Sequence, residues 1–179
     1  MADGIASRLW GMRLAYLGLA VFIVFCQLVP IETVPRNWAA PDFLLALTFA
    51  WSLRRPDYVP LFSIALAMLF ADMMLDRPPG LMAALTVLVC ASLQRRVFRV
   101  RDEGFATELL LVAVSIALVI VGSRVILTVL FVPTPPLGLT LFMGVMTLAA
   151  YPIVVFLSHL VLGVRAQAPG QDVVGRSLT

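Results

Sequence analysis

MLFADMMLDRPPGL, residues 68–81, places an aspartate at position 72 inside an apolar run, one helical turn before a polar break at Asp76 and Arg77. Every residue from position 59 to position 71 is apolar or small. A charged side chain near the centre of a membrane helix costs about 2.5–3.5 kcal/mol. The role of Asp72 therefore depends on the solvent around this segment, and the composition of the chain predicts that solvent.

The composition is that of a membrane protein. Of the 179 residues, 61% are hydrophobic and 13% are charged, and the mean hydropathy is +1.02. Soluble domains are usually about 45–50% apolar and about 25% charged, so a soluble fold would have too little polar surface to cover itself. All thirteen basic residues are arginines, in short clusters between apolar runs. This distribution indicates membrane topology and argues against nucleic-acid binding.

The chain contains six apolar segments, at about 13–30, 41–53, 58–75, 79–94, 106–132 and 137–164. The fifth and sixth are long enough to span a membrane with tilt. The first, third and fourth are near the lower limit of about 17 residues. The second is short and contains Asp42, so a re-entrant or interfacial segment remains an alternative to a full span.

Arginines are distributed unevenly between the breaks. Alternate breaks carry ten arginines on one side of the predicted membrane and two on the other. Because cytoplasmic loops are enriched in arginine and lysine, both termini are predicted to be cytoplasmic. The sequence thus predicts an all-α integral membrane protein. Residues 1–164 form a bundle of six transmembrane helices, and residues 165–179 form a disordered cytoplasmic tail.

Three ionisable residues fall in the outer half of this predicted bundle. Asp72 lies about 6 Å and Arg124 about 12 Å below the outer boundary at 1.5 Å per residue, and Asp42 stands at the outer start of the second segment. We predict that Arg124 pairs with Asp72, with Asp42 as the second candidate, because opposite charges offset the cost of burial. Alternatively, Asp72 snorkels or takes up a proton, and Arg124 reaches a lipid phosphate.

Small residues recur at four-residue spacing in two segments. Ser63, Ala67 and Ala71 follow this spacing in the third segment, as do Gly80 and Ala84 in the fourth. Small residues so placed let helices approach closely. Two interpretations stay open: packing within this chain, or docking of a partner's single helix.

A basic cluster follows the fourth segment, at Arg95, Arg96, Arg99 and Arg101. In the predicted topology it forms a cytoplasmic loop. It could contact anionic lipid or a cytoplasmic partner, since each arginine near an anionic leaflet contributes about 1 kcal/mol. The alternative is that the cluster only sets the topology.

The sequence carries no enzyme signature. It has no phosphate-binding GxxxxGK[ST] loop, no GxSxG, HExxH or CxxC motif and no lysine. His159, the one histidine, has no Cys, Asp or Glu at ligand spacing. We therefore predict that the protein is not an enzyme and has no catalytic residue, metal site or cofactor.

Two stretches resemble the rod shape-determining protein MreD family of bacteria. PDFLLALTFAWSLRRP at 41–56 is similar to the family's second-span motif. LFADMMLDRPPGL at 69–81, followed by an apolar run and QRR at 94–96, resembles its third and fourth segments. The family often has glycines ahead of the aspartate, where this chain has Ala67 and Ala71, and Pro-Leu-Gly where it has Pro78-Pro79-Gly80.

The resemblance implies a multi-pass, non-enzymatic scaffold subunit in the bacterial inner membrane that maintains cell shape. The expected partner is MreC, in a wider complex with MreB filaments and the RodA–PBP2 peptidoglycan synthase. The implied fold is similar to the substrate-binding subunits of ECF vitamin transporters. An alternative function is the substrate-binding subunit of a small-molecule transporter, in which Asp42, Asp72 and Arg124 would line a pocket.

Overall fold

The computed structural model describes residues 2–29, 40–100, 104–134 and 136–162. Within these ranges the regular structure is helical, with six α-helices, one 3-10 turn at Pro56–Tyr58 and no strand. The predicted all-α fold is confirmed for this part of the chain, whereas the tail at 165–179 lies outside it. The six helices are α1 (Ala2–Leu28), α2 (Phe43–Arg54), α3 (Leu61–Met74), α4 (Leu81–Val100), α5 (Phe105–Val129) and α6 (Leu137–Leu162).

Two helices extend beyond the apolar segments that predicted them. Helix α1 begins at Ala2, well before position 13, and α4 continues to Val100, beyond position 94. Arg95, Arg96 and Arg99 therefore lie in the last turns of a helix, and the prediction that they form a loop is wrong. Arginine is a good helix former, so the helix continues after its apolar face has ended.

The helices differ in their capacity to cross a membrane. Three of the described helical segments are long and apolar enough to span it: Ser7–Leu28, Phe105–Val129 and Leu137–Leu160. Helices α2 and α3 have only 12 and 14 residues, about 18 and 21 Å at 1.5 Å per residue, against a hydrocarbon core of about 30 Å. The three long helices are compatible with a membrane protein. Because α2 and α3 are shorter than the hydrocarbon core, the six-span bundle stays a prediction.

Helix α2 forms the centre of the described bundle. All of its residues from position 44 to position 53 are buried, as expected for a helix that is apolar on every side. Trp51 lies in its interior, with its ring centroid 5.9 Å from that of Tyr16 and 6.5 Å from that of Tyr58. Its indole Nε1 donates a hydrogen bond to the Ser158 hydroxyl on α6, 3.1 Å away.

The outer helices bury only one face. On α3 the buried residues follow the helical period and end at Asp72: Ser63, Ile64, Ala67, Met68, Ala71 and Asp72. The opposite face is also apolar, and Phe62 on it is 78% exposed. An exposed surface as apolar as the interior fits a lipid environment better than water.

Helix ends meet in two groups. Near Asp42, helices α1, α3 and α5 end and helices α2, α4 and α6 begin, and we call this the Asp42 end. At the opposite end the last turn of α2 meets the first turn of α5 through Arg54 and Glu108, and we call this the Glu108 end.

Candidate functional site

The carboxylate of Asp72 holds the beginning of helix α4. Asp72 is 1% exposed, and its Oδ2 accepts hydrogen bonds from the backbone N–H groups of Gly80 and Ala83, at 3.1 and 3.2 Å. The first N–H groups of a helix have no intrahelical partner and carry partial positive charge. An aspartate at the end of α3 therefore satisfies these donors and joins α3 to α4.

The turn between α3 and α4 brings these groups together. The backbone N–H of Arg77 donates to the Asp72 carbonyl at 3.1 Å. Asp76 has φ +51° and Gly80 has φ +84°, in the left-handed region that glycine tolerates best and that aspartate also adopts. The turn reverses the chain within a few residues.

Asp42 joins three parts of the bundle. Its Oδ1 accepts from the backbone N–H of Leu45 at 3.1 Å and so caps helix α2. Its Oδ2 forms an ion pair with Nη1 of Arg77 at 3.0 Å, and its own N–H donates to the Thr147 hydroxyl of α6 at 2.9 Å. The side chain is 4% exposed, so this is an interior connection between α2, α6 and the turn after α3.

Arg124 lies half-buried on α5, and its Nη1 donates to the Thr140 hydroxyl of α6 at 2.9 Å. The structure thus places Arg124, Asp42 and Asp72 at the same end of the bundle. The predicted pair of Arg124 with Asp72 stays a prediction. Sequence reasoning missed Arg77, whose guanidinium contacts Asp42. Two sequence features could have indicated this contact: the Pro-Asp pair before α2, at 41–42, and the Asp-Arg-Pro-Pro-Gly turn at 76–80.

The small residues singled out from the sequence have different environments. Ser63, Ala67 and Ala71 are buried on α3, which packs mainly against α4 and also against α1. Packing within the chain is therefore their observed environment. Gly80 is half-buried in the turn, and Ala84 is exposed. The buried positions of α4 follow a different register, at Ala83, Thr86, Cys90 and Leu93, so Ala84 lies off the face that packs within this chain.

At the Glu108 end, a second polar cluster joins α2, α5 and α6. Arg54 contacts Glu108 through two parallel bonds, Nε to Oε1 at 2.9 Å and Nη2 to Oε2 at 3.0 Å. The buried Tyr151 donates its hydroxyl proton to Oε1 at 2.5 Å. Sequence reasoning did not single out Glu108 or Tyr151. The available signals were an acidic residue in the first turn of α5 and an arginine in the last turn of α2.

Two open cavities lie at the Asp42 end. Cavity A, of about 590 Å³, is bounded by α1, the start of α2 and the α3–α4 turn. Cavity B, of about 600 Å³, is bounded by that turn, α5 and the start of α6. Arg77 lines both cavities, with Asp42 in cavity A and Arg124 in cavity B. Each volume lies in the range of small-molecule sites.

Three carboxylates in the described ranges join parts of the bundle. Asp42 accepts a bond from Arg77 in the turn after α3, Asp72 accepts one from Ala83 on α4, and Glu108 accepts one from Arg54 on α2. No group of three or more His, Cys, Asp or Glu side chains in the described ranges could hold a metal ion. In the basic cluster Arg95 is exposed, and Arg101 lies outside the described residues.

No protein-family model, curated protein or solved structure matches this chain. Its class is therefore defined by its own fold and contacts: a helical protein, compatible with a membrane, in which buried or partly buried carboxylates join the helices at both ends.

Proposed function

We propose that this chain is a non-enzymatic inner-membrane subunit of the bacterial cell-elongation machinery, of the MreD kind. In this proposal residues 1–164 cross the membrane six times, and both termini, including the tail at 165–179, are cytoplasmic. The subunit couples MreC to cytoskeletal MreB and to the RodA–PBP2 synthase, and so maintains cell shape.

The proposal rests on the contacts made by the two stretches that resemble the MreD family. Asp42 belongs to the first stretch and Asp72 to the second, and both are buried and bound to backbone N–H groups at helix N-termini. Arg77, also in the second stretch, contacts Asp42. Residues that resemble the family motif thus join α2, α3 and α4 to one another, which supports a structural role for the motif.

The surfaces of the bundle also support a scaffold. The described connections between α2 and α3 and between α3 and α4 are short, at 55–60 and 75–80. A partner would therefore contact helix faces and helix ends. The face of α3 with Phe62, Leu66 and Met73 is apolar and exposed, as expected of a surface that contacts lipid or another transmembrane helix.

The decisive experiment is deletion of the gene in the bacterium that encodes the chain. We expect rod-shaped cells to become round, and we expect a tagged copy of the chain to copurify with MreC. Complementation with Asp72→Asn should restore rod shape less well than complementation with Asp76→Asn, the matched control at an exposed aspartate four residues away. Retention of rod shape after deletion, without copurification of MreC, would refute the proposal.

A second candidate function is the substrate-binding subunit of a small-molecule transporter. Cavities A and B favour it, because each has the volume of a ligand site and is lined by at least one charged side chain. Under this alternative, deletion would abolish uptake of one solute and leave cell shape unchanged. Mass spectrometry of small molecules extracted from the purified protein would detect a stoichiometric ligand.

A further inference from the structure

Cavity B combines polar groups that suit an anion with walls that suit a hydrocarbon chain. Its polar lining includes the guanidinium groups of Arg77, in the α3–α4 turn, and Arg124, on α5. Guanidinium groups are the preferred partners of phosphate, because their planar array of N–H donors matches its oxygens. Two arginines on one cavity of about 600 Å³ therefore indicate an anion with several oxygen atoms.

The guanidinium group of Arg77 keeps donor capacity for such a ligand. Arg77 uses Nη1 for Asp42, and a guanidinium carries five N–H donors. Asp42 also accepts a backbone N–H at the start of α2, so its charge is shared with a helix N-terminus. Arg124 donates through Nη1 to the Thr140 hydroxyl. That bond fixes the head of Arg124 and makes Thr140 a positioning residue.

Asp76 also lines cavity B and brings a negative charge to it. Its side chain is exposed, where water and salt screen its interactions. The half-buried guanidinium groups of Arg77 and Arg124 are screened less than this carboxylate.

The rest of the cavity is apolar. Most of its other lining residues are aliphatic or proline: Leu81, Met82, Ile120, Leu127, Val132 and Pro133. The chain beside it carries exposed apolar side chains, with Leu130 62% exposed and Phe131 94% exposed. An exposed apolar segment of this kind is disfavoured in water and favoured in lipid, which indicates a lipid environment beside the cavity.

We propose that cavity B binds the phosphate group of an anionic membrane lipid, with Arg77 and Arg124 on the phosphate and the apolar walls against the acyl chains. The proposal does not depend on a role in cell elongation, because it rests on the lining of this cavity and on the exposed apolar segment beside it.

The test is a binding titration of the purified full-length protein in a non-ionic detergent. The probes are dihexanoyl phosphatidate, dihexanoylglycerol, which lacks the phosphate, and glycerol 3-phosphate, which lacks the chains. We expect phosphatidate to bind more tightly than either of the other two. Arg124→Gln should weaken its binding on the order of tenfold, since a hydrogen bond to a charged group is lost. Arg8→Gln, which removes an exposed arginine outside cavity B, should leave binding unchanged.

Two further variants keep the test decisive if Arg124→Gln unfolds. Arg124→Lys retains the charge but not the planar donors, and Thr140→Val removes the hydroxyl that fixes Arg124. Each should weaken phosphatidate binding several-fold with no loss of the folded fraction. Equal binding by these variants and Arg8→Gln would overturn the site. Equal affinity for glycerol 3-phosphate and phosphatidate would overturn the assignment to a lipid.

Discussion

The carboxylate of Asp72 accepts a hydrogen bond from the backbone N–H of Ala83, eleven residues later, with 3.2 Å between Oδ2 and N. A second bond from the Gly80 N–H, at 3.1 Å, reaches the same oxygen. The end of α3 thus satisfies donors at the start of α4, which lack intrahelical partners. A buried carboxylate is stabilised there by these bonds and by the partial positive charge of the helix N-terminus.

Asp72→Asn should destabilise the bundle. The neutral amide accepts a weaker bond from the N–H groups of Gly80 and Ala83, and it buries an NH₂ group that needs partners of its own. Hydrogen bonds to charged groups contribute about 1.5–3 kcal/mol, so we expect a loss of about 1–2 kcal/mol. Thermal unfolding of the purified protein in detergent, followed by tryptophan fluorescence, measures the effect.

Asp76→Asn is the matched control for this prediction. Asp76 is exposed and has φ +51°, a conformation that asparagine adopts as readily as aspartate. The free energy of unfolding of the Asp76→Asn variant should differ from that of the parent by no more than about 0.5 kcal/mol. If both variants lose stability equally, the bonds to α4 are not what makes Asp72 important.

The pair of Arg54 and Glu108 should show a measurable coupling energy. The two side chains share a bidentate contact at 2.9 and 3.0 Å, and each is 17% exposed. In a double-mutant cycle with Arg54→Gln and Glu108→Gln, we expect a coupling of about 1–2 kcal/mol, because interacting neighbours typically give 0.5–3 kcal/mol.

Tyr151→Phe tests the third member of that cluster. Loss of the hydroxyl that donates to Glu108 should cost about 0.5–1.5 kcal/mol. For the double-mutant cycle, Arg8→Gln at an exposed position makes the same charge change as Arg54→Gln and should have almost no effect. A cycle in which Arg54→Gln and Glu108→Gln are simply additive would contradict the contact.

Within the described ranges, sequence reasoning found every α-helix but not every boundary. A long apolar run predicts a helix, because a segment in the membrane must form its backbone hydrogen bonds within itself. The end of an apolar run does not predict the end of a helix. Helix α4 continues to Val100 through several arginines because arginine favours helix as strongly as most apolar residues.

The candidate site was predicted only in part. The sequence gives the depth of Asp42 and Asp72 along their helices, and both do lie at one end of the bundle. Their hydrogen-bond partners include the backbone N–H groups of Leu45, Gly80 and Ala83. A pattern of side chains does not predict bonds to backbone groups.

The contact of Arg54 and Glu108 was not predicted because it joins residues 54 positions apart. Spacing along one helix carries no information about which face of a neighbouring helix lies opposite. The residue types at such a contact can therefore be recognised from the sequence, but their pairing cannot.

Cysteine accessibility should test the proposed orientation. Asp57 and Asp76 are both exposed, and they lie in the turns before and after α3. In a background with Cys26→Ser and Cys90→Ala, a membrane-impermeant maleimide added to intact spheroplasts should label Asp76→Cys. It should label Asp57→Cys only after the membrane is permeabilised, since residue 57 is predicted to be cytoplasmic. The reverse pattern, or labelling of both sites in intact spheroplasts, would refute six crossings with cytoplasmic termini.

Gly144 should be a sensitive position in the contact between α5 and α6. A Cβ atom there would lie 2.6 Å from Cδ1 of Ile120 and 3.4 Å from Cγ2 of Ile116. Alanine requires only that the end of Ile120 rotate, whereas valine adds two methyl groups and forces the helices apart. Overpacking of this kind typically costs about 1–3 kcal/mol, so we expect Gly144→Val to lower the free energy of unfolding by that amount.

Gly138→Val, in the first turn of the same helix, is the control for Gly144→Val. A Cβ atom at Gly138 would meet nothing within 4 Å, so valine there tests helix propensity without a clash. Thermal unfolding in the same detergent compares the two variants. We expect Gly138→Val to unfold close to the parent temperature and Gly144→Val well below it. Equal unfolding midpoints would show that α5 and α6 do not approach each other closely at Gly144. The position of Ile120 in the wall of cavity B would then be wrong.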